Sequence, residues 1–265
     1  NPLRIIKKVL VKKKLNSHLI FTFFSFFVPF VIYLITMAPT TSFWDCGEFI
    51  ATSVTMGVPH PPGTPLYLLL GNVFSQIPLF SDIGARVNII SVLVSAFSVM
   101  FVYLISVQLI EEWKGRTKST TDKIINYGAS FIGAMTFAVT DSHWFNAVEA
   151  EVYSLSTFFT AIIVWLILKW SKEHDKPSNY RYILIIAYIL GLATAVHLLN
   201  LLALPFIALI IYFKKYESHP LGILGSILAL LLMVFIIYCR QYDSDLLMWL
   251  SPFIIFGVIG VFATI

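Results

Sequence analysis

Two carboxylates and a histidine in the stretch 40–82 have the side chains best suited to chemistry. Asp45 and Glu48 stand three positions apart, so a helix there would project both carboxylates from one face. One of them can then act as a base, while the other tunes it, binds a cation or orients a cationic group. An ordinary helix amino-terminal pair or a loop salt bridge has the same spacing, so the pattern leaves both interpretations open.

A proline-rich run follows the two acids. Residues 59–65 carry proline at four of seven positions, which fixes the backbone and leaves His60 and Thr64 as the polar side chains. His60 can donate to a phosphate or act as an acid or base, and it can equally be a structural hydrogen-bonding group. The apolar segment 66–77 that follows is too short to span a membrane, so we predict an interfacial or re-entrant helix there.

A second acidic segment contains Glu149 and Glu151, between two long apolar runs. Acidic residues at the mouth of a membrane span are often functional when they face the helical bundle. A helix that begins near Asn146 would instead place Glu149 in its first turn, where the helix dipole stabilises a negative charge. Both explanations are consistent with the sequence.

Three further polar side chains border or interrupt apolar segments. Arg86 can bind a phosphate with two parallel hydrogen bonds, or it can extend towards lipid headgroups. His197 and Asn200 lie near the middle of a long apolar window, where we predict a turn. Four segments distant in sequence thus contribute carboxylates, histidines, an amide and an arginine, as a site assembled from several helices requires.

The composition predicts which elements position these residues. Hydrophobic residues make up 58% of the chain and charged residues 12%, and the mean hydropathy is +0.85, which excludes a water-soluble domain. Lipid requires helices or a closed barrel, and the long apolar runs favour helices. Cys46 and Cys239 are too few and too far apart to form a disulfide framework or a metal-binding spacing.

Seven apolar windows predict seven to eight membrane spans. The fifth has 32 residues, and at about 1.5 Å per residue it would exceed a hydrocarbon core of roughly 30 Å. We therefore predict two short spans that turn around residues 197–200, with Pro205 helping to break the helix. The predicted organisation is a cytoplasmic basic segment 1–17 and, over 18–265, the amino-terminal part of a longer transmembrane domain, with a first outer loop at about 39–86. The windows are 18–37, 87–110, 124–140, 152–170, 182–213, 221–238 and 246 onward.

The charges predict an orientation. With the fifth window split, 16 of the 18 basic residues fall on one side of the membrane, which is therefore the cytoplasmic side and holds the amino terminus. Eight of the fourteen acidic residues fall on the opposite side. The basic residues near the amino terminus are interpreted as contacts to anionic headgroups, and no nucleic-acid role is expected.

Four motifs together carry a resemblance to a known family. They are Trp44-Asp45-Cys46-Gly47-Glu48-Phe49, His60-Pro61-Pro62-Gly63-Thr64-Pro65, Ala147-Val148-Glu149-Ala150-Glu151-Val152-Tyr153, and Gly191-Leu192 with His197-Leu198-Leu199-Asn200. In this combination the chain resembles a bacterial membrane family, common in Bacteroidetes, that is related to the protein O-mannosyltransferases. The resemblance covers essentially the whole chain, and it implies an all-α helical bundle of the GT-C superfamily of membrane glycosyltransferases.

The resemblance implies a reaction and roles for the residues above. Enzymes of this superfamily transfer a sugar from a polyprenyl-phosphate carrier, here to a protein hydroxyl, and the expected sugar is mannose or another hexose. By that likeness Asp45 is the catalytic base, Glu48 supports it, and Glu149 or Glu151 is the second acidic element. The expected location is the cell inner membrane, with the site on the periplasmic side. The candidates for binding the donor and its phosphate are His60, Arg86, His197 and Asn200.

Two points remain open at this stage. No cofactor is certain: paired carboxylates can bind a divalent metal, but the spacing gives no firm ligand set. A transporter or flippase for a lipid-linked substrate is the alternative function, although such proteins bind near the bilayer midplane and often show repeated halves, which this sequence lacks. A purely structural role would leave the rigid loop and its paired acids without a purpose.

Overall fold

A computed structural model of the chain describes residues 17–61, 63–115, 119–217, 219–220, 222–225, 228, 231–232 and 235. Every regular element within these residues is a helix. The chain divides into two compact units, Asn1–Ile162 and Ile163–Ile265. The predicted basic segment 1–17, apart from Ser17, and the predicted window from 246 onward lie outside the described residues, as does much of the window 221–238.

Within the described residues, the first unit contains six complete helices and the start of a seventh. The second unit contains the rest of that seventh helix, then an α-helix, a short 3-10 helix at Leu198–Leu202 and a further α-helix, and helical residues follow between 220 and 235. In chain order the α-helices are α1 (Ser17–Thr36), α2 (Cys46–Thr55), α3 (Pro65–Gln76), α4 (Ile83–Lys114), α5 (Thr120–Ala138), α6 (Asp141–Ala147), α7 (Val152–Glu173), α8 (Tyr180–Thr194) and α9 (Ala203–Lys215).

Among the residues that the structure describes, four helical segments are long and apolar enough to cross a membrane. They are α1, α4, α7 and the stretch 198–215, which joins the 3-10 helix to α9. An all-α protein with membrane-spanning helices is therefore confirmed. The helix α5 covers the predicted third window but is not among these four, so the count of seven to eight spans stays a prediction. The 12-residue α3 matches the predicted short helix after the proline-rich run, and its place relative to the membrane also stays a prediction.

The core of the first unit lies where α1 packs on α4 and α5. The hydroxyl of Tyr33 on α1 donates to the Ala138 carbonyl at the end of α5 at 2.7 Å, so the buried phenol is satisfied by backbone. On α4 a stripe of small polar residues is fully buried among the apolar ones. Small side chains let helices approach closely in a membrane and leave polar groups available for contacts between segments. The members of this polar stripe are Asn88, Ser91, Ser95 and Ser98.

The predicted break of the fifth window is confirmed, but the role of Pro205 is not. The helix α8 ends at Thr194, and His197 has an extended backbone before the 3-10 helix begins. Pro205 lies inside the first turn of α9 instead of at the break. A proline is tolerated there because its missing N–H would have no partner within the helix.

Candidate active site

The segment before α2 presents Asp45 at a helix start. Asp45 immediately precedes the first residue of α2, is exposed, and makes no capping hydrogen bond with its side chain. Trp44 has a φ of 58°, a conformation that costs a bulky residue of order 1–3 kcal/mol and that concentrates at functional sites. The strained tryptophan and the free carboxylate beside it mark this helix start as a candidate site.

Glu48 and His60 form a close pair across twelve residues. The backbone N–H of His60 donates to Glu48 Oε1 at 2.7 Å, and His60 Nδ1 lies 2.7 Å from Glu48 Oε2. The hydrogen bond between the two side chains lowers the pKa of Glu48 and raises the pKa of His60. The loop is closed further by a hydrogen bond from the Gly63 N–H to the His60 carbonyl, with Gly63 at a φ of 74°. The proline-rich run thus holds an imidazole against the second carboxylate.

Asp45, Glu48 and His60 come together in one cluster. Each offers a ligand atom, and these atoms all lie within 4.8 Å of one another. The two carboxylates come close together, but Asp45 precedes the first residue of α2, so they do not share a face of that helix as expected. Two carboxylate oxygens and an imidazole nitrogen form a ligand set that a divalent cation accepts, with its remaining positions left to water or substrate.

The second acidic segment differs from the expectation. The helix α6 ends at Ala147 and α7 begins at Val152, so Glu149 lies in the non-helical link between them and not in the first turn of a helix. Of the two explanations that the sequence leaves open, the one in which a helix begins near Asn146 is wrong, because α6 begins at Asp141 and ends before Glu149. Instead of a capped surface acid, Glu149 is buried with 1% of its surface exposed, and its Oε1 has no hydrogen-bond partner in the structure.

Burial dominates the electrostatics of this link. It raises the pKa of Glu149, and it raises the pKa of Glu151 to about 7, with the negative charges of Asp45 and Glu149 adding to the effect. His60 acts in the opposite direction on Glu151. The two acidic segments are therefore close enough to influence each other, as a single site requires.

Replacing Glu151 with Gln is expected to stabilise the protein at alkaline pH. The folded pKa of Glu151 is about 7, above its ordinary value of 4.5, so the folded chain holds a proton that the unfolded chain releases. The contribution of Glu151 to the free energy of unfolding therefore falls as the pH rises from 4.5 to about 7 and is constant above that range. Melting in detergent should show the variant more stable than wild type by a few degrees at pH 8. At pH 4.5 the two should melt together, and a gain of equal size at both pH values would contradict the raised pKa.

The Arg86 guanidinium is bonded to backbone carbonyls within the protein. Its guanidinium donates to the carbonyls of Phe80 at 2.6 Å, Ser75 at 3.1 Å and Ser81 at 3.3 Å. These bonds fasten the end of α3 to the start of α4, where the Asp82 carboxylate accepts from the Gly84 N–H at 2.7 Å. The structure thus shows a stabilising role for Arg86, and its role as a phosphate ligand stays a prediction.

His197 and Asn200 belong to the second unit. His197 Nδ1 accepts from the Leu199 N–H at 3.2 Å, and the buried Asn200 amide donates to the carbonyls of Ala193 at 3.0 Å and His197 at 2.9 Å. Both side chains stabilise the turn between α8 and the 3-10 helix. Their part in donor binding stays a prediction.

The sequence reasoning missed the residues that lie beneath the cluster. Cys46 is fully buried next to Asp45, and burial raises the pKa of its thiol. Tyr67 of α3 is also fully buried, and burial raises its pKa as well. The sequence signal that could have pointed to these buried residues is the polar stripe of α4. Its members lie three and four positions apart and therefore share one helix face.

Comparisons with known proteins show which family the chain belongs to. The family described as "Protein O-mannosyl-transferase TMEM260 N-terminal domain" matches residues 45–220, about two thirds of the chain, and the match begins at Asp45. The chain belongs to this family. The matched stretch contains Asp45, Glu48, His60 and both acids of the second segment.

Two curated relatives match about two thirds of this chain. The protein O-mannosyl-transferase tmem260 of Dictyostelium discoideum is 28% identical over 189 residues, 66% of this chain and 21% of that protein. The protein O-mannosyl-transferase TMEM260 of Mus musculus is 23% identical over 162 residues, 61% of this chain and 21% of that protein. The chain therefore spans about a fifth of the length of these relatives. No solved structure matches it.

Proposed function

We propose that the full-length protein is a membrane glycosyltransferase that moves mannose or another hexose from a polyprenyl-phosphate donor to a protein hydroxyl. The observation that carries the proposal is the cluster of Asp45, Glu48 and His60, whose ligand atoms lie within 4.8 Å of one another in the part of the chain that the family match covers. The names of the two relatives support the same reaction class.

Asp45 is the base in this proposal. Its carboxylate takes the proton from the acceptor hydroxyl, the hydroxyl oxygen forms a bond to the anomeric carbon, and the bond from that carbon to the phosphate oxygen breaks. The products are a glycosylated protein, a polyprenyl phosphate and a protonated Asp45. An exposed carboxylate suits this role because the acceptor must reach it from outside the protein.

His60 supplies positive charge for the departing phosphate. Its hydrogen bond with Glu48 raises the pKa of the imidazole, so the ring is cationic over a wider range of pH than an isolated histidine. A cation held in place before the reaction stabilises charge that develops on the leaving group. Glu48 thus acts through His60, while Arg86, His197 and Asn200 remain proposed contacts to the donor.

Glu149 and Glu151 form the second acidic element of the proposed site. Because the pKa of Glu151 is raised to about 7, this carboxyl is largely protonated at slightly acidic pH and can donate a hydrogen bond. A buried carboxyl that donates and accepts suits the hydroxyl groups of a hexose. These two residues lie outside the candidate membrane spans, which favours a transferase over a transporter that binds its substrate at the midplane.

The type of helical bundle, the membrane and the orientation of the chain in it are also part of the proposal. A GT-C helical bundle of seven to eight spans, the cell inner membrane, a cytoplasmic amino terminus and a site on the periplasmic side are supported by the distribution of the 18 basic residues and by the sequence motifs. A bundle of this type gives the lipid tail of the donor access from the bilayer, while the acceptor approaches from water.

A divalent cation is an alternative occupant of the same cluster, in which His60 would be neutral and the ion would replace it as the source of positive charge. Asp45, Glu48 and His60 would hold it, and when bound it would supply positive charge beside the donor phosphate. Titrating Mn²⁺ into chelator-treated full-length protein, with the electron paramagnetic resonance of free Mn²⁺ as readout, tests this fit directly. Binding that His60→Ala weakens supports a site here, and binding that it leaves unchanged places the ion elsewhere.

The test of the function is transfer by the full-length protein in nanodiscs. Polyprenyl-phosphate mannose carrying a labelled sugar and a protein acceptor should give a labelled protein, with release of the polyprenyl phosphate. A parallel vesicle assay should show no faster movement of the labelled lipid across the bilayer than in protein-free vesicles. Lipid movement without transfer would overturn the transferase and favour the flippase.

A further inference from the structure

Asn88 connects three segments around the site. It lies in the second turn of α4 and is fully buried. Its side-chain N–H groups donate to the carbonyls of Ala38 at 2.8 Å and Thr40 at 2.9 Å, and its Oδ1 lies 3.8 Å from the sulfur of Cys46. Cys46 immediately follows Asp45, so one amide fixes both the chain that leaves α1 and the start of α2.

The second acidic segment also contacts Ala38, through the other backbone group of this residue. The N–H of Ala38 donates to the carbonyl of Val148 at 2.8 Å, and Val148 immediately precedes Glu149. Ala38 thus receives a hydrogen bond from Asn88 and gives one to the link that carries the buried acids. The position of Asp45 relative to Glu149 depends on this short chain of bonds.

Two other residues on this part of α4, Gly84 and Ser91, lie against the same two segments. A Cβ added at Gly84 would lie 3.1 Å from the carbonyl carbon and 3.2 Å from the Cα of Thr40, so the segment 38–40 lies directly on the first turn of α4. Ser91, one helical turn beyond Asn88, accepts from the N–H of Glu151 at 3.5 Å. One face of α4 therefore contacts both acidic segments.

We propose that Asn88 is a positioning residue that sets the distance between the base Asp45 and the second acidic element, an inference that rests on the proposed function. An apolar residue of similar size would leave two buried carbonyls without donors, which is costly and would release the segment 38–40. A displacement of about 1 Å at a reacting group can lower a rate about 100-fold, so a loss of these bonds is expected to lower kcat by that order.

The test compares Asn88→Ala and Gly84→Ala with Ser98→Ala in the full-length protein. Ser98 has the same burial on the same stripe but donates to Val94 of its own helix, so it touches neither acidic segment. We expect both test variants to lose about 100-fold in kcat with donor KM changed only a few-fold, and Ser98→Ala to keep wild-type kcat. A folded Asn88→Ala with kcat within twofold of wild type would overturn the proposal.

A second readout does not depend on activity. Cys46 is a buried thiol beside Asn88, so its labelling by a maleimide, in a background without other cysteines, reports the closure of these segments. We expect about tenfold faster labelling in Asn88→Ala and Gly84→Ala and no change in Ser98→Ala. If the wild type proves inactive, faster labelling still supports the contact while the proposed function fails. Unchanged labelling in both test variants overturns the positioning role, and if Asn88→Ala does not fold, Gly84→Ala decides.

Discussion

Replacing Asp45 with Asn is expected to lower kcat for sugar transfer by about 10²–10⁴-fold. The substitution keeps the size of the side chain but removes the oxygen that accepts the proton of the acceptor hydroxyl. Since Asp45 makes no capping hydrogen bond and is exposed, the melting temperature should stay close to that of the wild type. The measurement is the initial rate of labelled-hexose transfer by the full-length variant in nanodiscs, alongside its thermal melt.

Asp141→Asn is the matched control for this prediction. Asp141 is another exposed acid near the second acidic segment, and it lies in the first turn of α6 outside the cluster. We expect this variant to retain transfer within about twofold of wild type, since the charge change is the same and no proton acceptor is lost. Full activity in a folded Asp45→Asn protein would remove the base from the proposal and with it the assigned site.

Replacing Gly71 with Ala is expected to destabilise the first unit by about 1–3 kcal/mol and to reduce transfer strongly. A Cβ at this position would lie 2.3 Å from the Oγ and 2.7 Å from the Cβ of Ser53, so α2 and α3 would have to move apart. The Ser53 hydroxyl can rotate away, but the Ser53 Cβ cannot move without its helix. The clash therefore acts between the two helices. Because α2 carries Glu48 and the turn into α3 carries His60, separation would also break their hydrogen bonds.

Melting and transfer assays on Gly71→Ala and Gly128→Ala check this expectation. Gly128 also lies in a helix, but a Cβ there meets no atom within 4 Å, so alanine should be neutral or stabilising by up to about 1 kcal/mol. Equal melting temperatures for the two variants would show that α2 and α3 are not packed as closely as described.

The local features of the site could be predicted because they follow from short-range geometry. Residues three apart lie close together at a helix start, so the proximity of Asp45 and Glu48 was available from spacing alone. The split of the fifth window followed from its length against the thickness of a bilayer. The prediction that Pro205 breaks the helix was wrong for a reason that is also short-range. A proline that breaks a helix and one in the first turn of a helix give the same sequence signal until the neighbouring turn is known.

The environment of the polar residues could not be predicted in this way. An arginine in a membrane protein can bind several kinds of partner with similar energy. Only the fold shows that Arg86 contacts three backbone carbonyls. Glu149 gave the same sequence signal as a surface acid at a helix start, yet it is buried because α6 ends two residues before it. Neighbours distant in sequence decide such cases, and a single sequence does not specify them.

The sequence by itself determined the class of the protein, its helical and membrane-spanning nature, and the residue types of one acidic cluster. Composition excludes water as the solvent for these elements, and periodicity fixes which side chains share a face, so both are properties of short stretches of chain. Only the tertiary structure decided that His60 pairs with Glu48, that Glu151 is buried, and that Asn88 joins the segments 38–40 and 46. Those outcomes depend on packing across 12 to 50 positions, where hydrogen-bond partners are set by the fold.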